Sequence, residues 1–229
     1  MKTTKLFMLG FLFLPFTLVS CQADEMVKED VNAVVEENAV TAEALEAAAE
    51  TDEMMKTATF SSDPSGLSQD EIAGLYLMRE EEKMARDVYA FFYKKFNVRT
   101  FGNITKSENQ HASAVLRLIN YFGLTDPTKP DVGVFANQEL QELYNKFTNE
   151  AVTAVDALKT GAFIEEYDIA DLRKLIAETE NADIKFVYGN LLRGSTFHLR
   201  AFTSVLKFRG ETYVPTILSP EDYKALITK

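Results

Sequence analysis

The chain has two histidines, and each closes a short helical motif: Glu108-Asn-Gln-His111 and Ser195-Thr-Phe-His198. Residues three apart on a helix share a face, so Glu108 and His111 present a carboxylate and an imidazole together. Both histidines lie on apolar stripes. One runs Phe101, Ile104, Glu108, His111, Val115, Leu118, Phe122, the other Ile184, Val187, Leu191, Ser195, His198, Phe202, Val205. Helical bundles offer ligands to a pair of metal ions in their core in this way. Two further stripes carry acids: Glu82 between Met78 and Ala85, and Glu165 between Ala162 and Ile169, with Asp168 one turn beyond. Burying such carboxylates without a cation costs on the order of several kcal/mol each, or raises their pKa values until they neutralise. A divalent ion resolves that cost. Mixed carboxylate and imidazole ligation suits Fe, Mn or Zn, and iron would permit oxygen or peroxide chemistry.

Each of these residues has a plainer reading. Glu82 ends the run Glu80-Glu81-Glu82, and such runs are usually solvated faces. Thr105-Lys-Ser-Glu108 also fits a capping box, although Phe101 and Ile104 extend the stripe backwards and start the helix earlier. A histidine on an apolar face is often a hydrogen-bonded core residue, and Glu165 competes with its neighbour Glu166. Tyr89 is expected to hydrogen-bond a ligand carboxylate or to be an ordinary core tyrosine. Arg86 and Arg200 are expected to balance buried carboxylates, with surface placement as the alternative.

The elements that must position these residues are all helical. Ser68-Gln-Asp-Glu71 is a capping box flanked by Leu67 and Ile72, and opens a helix with stripe Leu75, Met78, Glu82, Ala85, Tyr89, Phe92 that ends near Asn97. A second begins near Thr100 and ends at Gly123. Residues 124–136 read as a long connection. Asn137 caps a short helix through Phe147, Thr153 starts a longer one, and Asn181 caps the last, which ends at Gly210. The tail from Tyr213 to Tyr223 reads as an extended segment and one helical turn. No alternating strand pattern occurs. The expected fold is all-α: a ferritin-like four-helix bundle with one long crossover, an extra short helix and a C-terminal extension.

Residues 1–20 read as a secretory signal: Lys2 and Lys5 precede the apolar run Leu6–Val19, too short to span a membrane securely. The run ends in Leu18-Val19-Ser20-Cys21, which resembles a bacterial lipobox, and that resemblance implies cleavage before Cys21 and its lipidation. Cys21 is the single cysteine, so no internal disulfide forms. Of the formal charge of −11, residues 22–66 carry −10, the signal +2 and residues 67–229 the remaining −3. Residues 21–66 therefore read as an acidic, disordered tether with a reach of roughly 35–40 Å; a short helix over Ala42–Ala49 would find little to pack against. The acidic start Gln22-Ala-Asp24-Glu25 resembles export signals of surface lipoproteins in some Gram-negative bacteria. With no basic patch and no tryptophan, nucleic acid is not an expected partner.

Four segments together resemble the DUF2202 family, an uncharacterised branch of the ferritin-like proteins. They are Leu77-Met-Arg-Glu-Glu-Glu-Lys-Met-Ala-Arg-Asp-Val-Tyr89, Ser107-Glu-Asn-Gln-His111, Gly161-Ala-Phe-Ile-Glu-Glu-Tyr-Asp-Ile-Ala-Asp-Leu172 and Asn190-Leu-Leu-Arg-Gly-Ser-Thr-Phe-His-Leu-Arg-Ala-Phe202. The resemblance spans 67–229. The wider ferritin-like pattern, as in rubrerythrin, implies one Glu from the first helix, here Glu82 seven residues before Tyr89, and Glu108 with His111 from the second. It implies Glu165 from the third and a Glu-x-x-His from the fourth. The chain departs at the last, where Ser195 replaces the glutamate; Glu166 or Asp168 could fill the gap, or one subsite is weak. The expectation is a lipid-anchored protein of the cell envelope, at the outer membrane, the periplasmic face or the surface. It would hold a mono- or di-iron centre (Mn or Zn being alternatives) of Glu82, Glu108, His111, Glu165, Asp168 and His198, with ferroxidase- or peroxidase-like chemistry. The rival is a non-catalytic binding module that has lost its complete dimetal site. Oligomeric state is left open, a homodimer included.

Overall fold

The computed structural model describes residues 20–228, and among these it contains seven helices and no strand. They are α1 (Ser20–Thr57), α2 (Gln69–Phe96), α3 (Arg99–Tyr121), α4 (Gln138–Glu150), α5 (Ala154–Glu178), α6 (Ala182–Phe208) and α7 (Pro220–Ile227). The described residues divide into two units, one ending at Glu36 and one beginning at Glu37. The signal expected over 1–20 lies outside the described residues, save Ser20, and so does the side chain of Cys21. No helix among the described residues is long and apolar enough to cross a membrane.

Helices α2 and α3 pair as one hairpin and α5 and α6 as a second; α2 meets α5 and α3 meets α6, which closes a four-helix bundle. The expected caps form. Ser68 and Glu71 make a reciprocal capping box at α2, as do Thr153 and Asp156 at α5, while Asn137 and Asn181 cap α4 and α6. Helix α2 stops at Asn97, whose φ of 54° reverses the chain into α3. Residues after α3 cross over to α4 and α5, and buried groups on α2 hold that crossover. Lys83 Nζ donates to Asp87 and to the carbonyls of Asp131 and Val134, and Glu80 accepts from the backbone N–H groups of Ala136 and Asn137.

The acidic segment departs from the tether expected over 21–66. Its residues from 38 to 57 are helical, and Thr41, Ala48, Thr51, Asp52 and Met55 are buried. These positions recur every three to four residues, so small side chains face inward while most acids face water. Met55 joins the apolar cluster of Leu75, Met78 and Leu118. Arg117 of α3 donates to the carbonyls of Met55, Lys56 and Ala58 at and just beyond the C-terminus of α1, where helix carbonyls lack intrahelical partners or have only one weak one. A helix judged by its own weak stripe seemed to lack a partner; the bundle supplies one.

The core divides into two apolar clusters. One contains Met84, Tyr89, Phe92, Phe101, Ile104, Leu158 and Phe202, the other Leu75, Met78, Val115, Leu118, Leu172, Val187 and Leu191. On α2, α3 and α6 the passage from one to the other crosses Glu82, Glu108 with His111, and Ser195 with His198, while on α5 Glu165 and Asp168 precede Ile169 of the first cluster and Leu172 of the second. The C-terminal extension packs on the first cluster through Tyr213 and is fastened by Glu166, which accepts from Tyr213 Oη and from the backbone N–H groups of Thr216, Ile217 and Leu218. Replacing Glu166 by Ala leaves the buried Tyr213 hydroxyl unmatched and hands the three backbone N–H groups of the more exposed segment to water, and should destabilise the fold by about 1–2 kcal/mol. Urea denaturation measures this, and a change within error would show that the extension contributes no stability.

Candidate metal centre

Glu82 from α2, Glu108 and His111 from α3, Glu165 from α5 and His198 from α6 converge at the polar layer, and none is more than 2% exposed. Glu108 is the centre of the arrangement. Its Oε2 lies 2.8 Å from His111 Nδ1 and its Oε1 2.9 Å from His198 Nδ1. Glu82 Oε2 approaches His111 Nδ1 to 3.3 Å and Glu165 Oε2 approaches His198 Nδ1 to 3.6 Å. The two imidazoles stack with centroids 5.3 Å apart. Glu108, His111 and His198 each offer a ligand atom within 4.8 Å of the others, a buried group able to hold a metal ion. Glu108 sits in mid-helix, with α3 starting at Arg99, so it does not cap a helix.

The surrounding groups orient these ligands. Tyr89 Oη donates to Glu165 Oε1 at 2.7 Å, the contact expected of it. Ser195, where the resemblance implies a glutamate, places Oγ 2.5 Å from Asp168 Oδ2 and 2.9 Å from the Leu191 carbonyl, so its one hydroxyl proton is shared between these two acceptors. Asp168 therefore brings a carboxylate to the side that Ser195 leaves without one, and a cavity of about 10 Å³ lies among Glu81, Glu82, Glu108, Glu165 and Asp168. Gly194 makes room for His111: a Cβ there would stand 2.6 Å from His111 Nε2.

Three earlier candidates lie elsewhere. Glu166 does not fill the gap, because it points to the C-terminal extension. Arg86 balances a buried carboxylate as expected, but that of Asp87 and not one of the centre, and Arg200 donates to the Leu226 carbonyl instead of to a carboxylate. Two residues of the centre were not anticipated. Glu81, 3% exposed with both carboxyl oxygens unpartnered, sits close enough to Asp168 and Asp171 for their charges to raise its pKa after burial has done so. Asp52 of α1 places Oδ1 3.3 Å from His111 Nε2. The inward spacing of Ala48, Thr51, Asp52 and Met55 was the available signal, hidden among the acids around it.

Electrostatics follow from this crowding. Burial raises Glu82 well above the carboxylate range, and the Asp168 charge adds to it. Burial and the Glu108 charge lift Glu165 to about 8. Burial lifts Asp168 to about 7 against the opposing Ser195 hydrogen bond. Burial would also raise Glu108, but His198 and His111 hold it well below its ordinary value. For His198, burial opposes the charged form, yet Glu108 and Glu165 carry it up to about 10; His111 rises likewise beside Glu82 and Glu108. Protons thus do the neutralising that a divalent cation would do. The donor set fits such an ion. Glu82 Oε1, Glu108 Oε1 and His198 Nδ1 are buried without an aligned hydrogen-bond partner, although carboxylate and imidazole atoms lie close together, as ligand atoms aimed at a shared point do.

An all-α bundle with a buried carboxylate–imidazole cluster defines the class. The chain belongs to the family described as "Uncharacterized protein domain (DUF2202)", which matches residues 71–229. It is 48% identical over 164 residues to the uncharacterized protein MJ0754 of Methanocaldococcus jannaschii, covering 71% of this chain and 89% of that one. The crystal structure of hypothetical protein MJ0754 superposes with a TM-score of 0.73 at 44% identity, covering 75% of this chain and 98% of the other.

The protonated acids set the pH dependence of the metal-free protein. Glu165, Asp168 and His198 have folded pKa values above their ordinary values of 4.5, 3.8 and 6.5. Each contributes stability that is complete below the ordinary value and lost as pH rises through the folded one. Glu108 has the opposite sign, its contribution being lost only as pH falls below the ordinary carboxylate range. With a chelator present, the urea midpoint should therefore fall between about pH 5 and pH 8. A flat or rising midpoint would contradict these protonation states.

Proposed function

We propose that the chain is a ferritin-like, extracytoplasmic protein whose centre binds iron, as one or two ions, for oxidation of ferrous iron or turnover of peroxide. The observation that carries this reading is Glu108, whose two oxygens each meet a different imidazole at 2.8 and 2.9 Å. A carboxylate so placed suits bridging, and Asp168 supports a second position despite Ser195. Glu82, Glu108, Glu165, His111 and His198 would hold the metal, with Asp168 as a further oxygen donor. Iron bound there would supply redox chemistry toward dioxygen or peroxide, and Mn or Zn fit the same donors less informatively.

The chain's own residues do the rest. Tyr89 fixes Glu165 and Ser195 fixes Asp168, so both carboxylates keep one orientation. The two apolar clusters exclude bulk water from above and below. A crevice of about 420 Å³ between α1 and α3, lined by Leu45, Ala48, Asp52, Ser107 and Gln110, reaches His198. Its mixed lining suits a small reactant such as peroxide or a hydrated ion.

Elemental analysis of protein purified without chelator should find about one or two metal ions per chain. Anaerobic ferrous loading followed by air should then consume ferrous iron, measured by a ferrous-specific chromophore, and Glu108→Gln should lose both binding and oxidation. Protein that stays metal-free with Fe, Mn and Zn supplied would end this reading in favour of a binding module. We further propose that Cys21 is lipidated and anchors the protein in the cell envelope, a reading supported by the lipobox-like Leu18-Val19-Ser20-Cys21. Cys21→Ser should move the protein from the membrane to the soluble fraction; an unchanged membrane fraction argues against the anchor.

A further inference from the structure

Asp52 lies outside the residues that match the family, 71–229, yet it reaches the centre. It is 7% exposed on α1. Its Oδ2 accepts from Ser107 Oγ at 2.8 Å, and its Oδ1 lies 3.3 Å from His111 Nε2 with no aligned partner of its own. The opposite ring nitrogen, Nδ1, faces Glu108 at 2.8 Å and Glu82 at 3.3 Å.

A neutral imidazole has one lone pair and one N–H. If Nδ1 gives its lone pair to a cation held among the carboxylates, Nε2 must carry the proton. Among the described residues, Asp52 is the carboxylate paired with that nitrogen. We infer that Asp52 is a positioning residue of the metal centre. It receives the Nε2–H of His111 and holds the ring with Nδ1 turned toward Glu82 and Glu108. Helix α1 is then a working part of the centre and not a spacer. The inference rests on the metal-binding reading above.

Independent features fix this geometry. Ser107 stands one turn before His111 on α3, so the helix that carries the imidazole also orients the acid that meets it. Gly194 admits the ring edge, since a Cβ there would lie 2.6 Å from Nε2 and 3.5 Å from Thr51 Oγ1. Arg117 pins the end of α1 through the carbonyls of Met55, Lys56 and Ala58. The 3.3 Å approach is loose, as such contacts commonly are until a ligand draws the groups together.

The test uses the full chain, stripped of metal and titrated anaerobically with Co²⁺ against a competing chelator, with the visible spectrum recorded. Asp52→Ala should weaken Co²⁺ binding about 10–100-fold and alter the Co²⁺ spectrum, with a small change in metal-free melting temperature. Asp52→Asn, whose Oδ1 still accepts a hydrogen bond, should recover most of the affinity. If the parent binds Co²⁺ and Asp52→Ala matches it in affinity and spectrum, the role of Asp52 is overturned while the metal reading stands. If the parent binds neither Co²⁺, Fe²⁺ nor Zn²⁺, both fall. Equal loss in the Ala and Asn variants, in step with metal-free stability, would reduce Asp52 to packing and overturn the inference. Should Asp52→Ala fail to fold, Ser107→Ala carries the test. It should weaken Co²⁺ several-fold by freeing the Asp52 carboxylate, and unchanged binding would overturn the inference.

Discussion

The structure depends on a charged layer that its own core cannot tolerate bare. Glu108 is gripped between two imidazoles at the middle of the bundle, with Glu82 and Glu165 beside them. Transfer of such groups out of water is strongly unfavourable unless opposite charge, protons or a cation meets them. Apolar clusters lie on both sides along the bundle, so the layer can relax toward solvent only through the crevice at His198. The hydrogen bonds from Tyr89 and Ser195 are consequences of that confinement, since each fixes a carboxylate that would otherwise be free to turn.

One acidic run serves several ends because a helix turns by about 100° per residue. Glu80 faces the crossover and accepts two backbone N–H groups. Glu81 faces Asp168 and Asp171, and Glu82 faces His111. Lys83 returns to the crossover beside Asp87. On α5 the adjacent pair divides in the same manner, Glu165 toward His198 and Glu166 toward the C-terminal extension. The charged motifs that make the centre also fasten the loops that enclose it, which couples the rigidity of the connections to the placement of the ligands.

The bundle and the family match coincide over most of their length, but α1 stands outside the match and touches the centre nonetheless. Its polar contacts include Asp52 with Ser107 and His111, and the terminal carbonyls with Arg117, all on α3, while Met55 joins an apolar cluster that also holds Leu75 and Met78 of α2. It also forms one wall of the crevice that leads to His198. A segment with this position stands beside His111 and lines the approach to His198.

The sequence by itself determined helices α2 to α6, the caps at Ser68, Asn137, Thr153 and Asn181, and the burial of Glu82, Glu108, His111, Glu165 and His198 on inward stripes. Helical periodicity is local: it records which face a residue takes, and an ionisable residue on an apolar stripe must be buried whatever packs against it. Tertiary structure decided what each face meets. Glu166 and Glu165 are neighbours in sequence and equally acidic, yet only the placement of the extension makes one a fastener. Arg86 and Arg200 both looked suited to balance buried carboxylates; Arg86 does so at Asp87, away from the centre, while Arg200 is held by the Leu226 carbonyl. Asp52 was indistinguishable from the acids around it, because its value comes from an imidazole 59 positions later in the chain. Contacts between distant segments depend on how the helices cross, and no local pattern records that crossing.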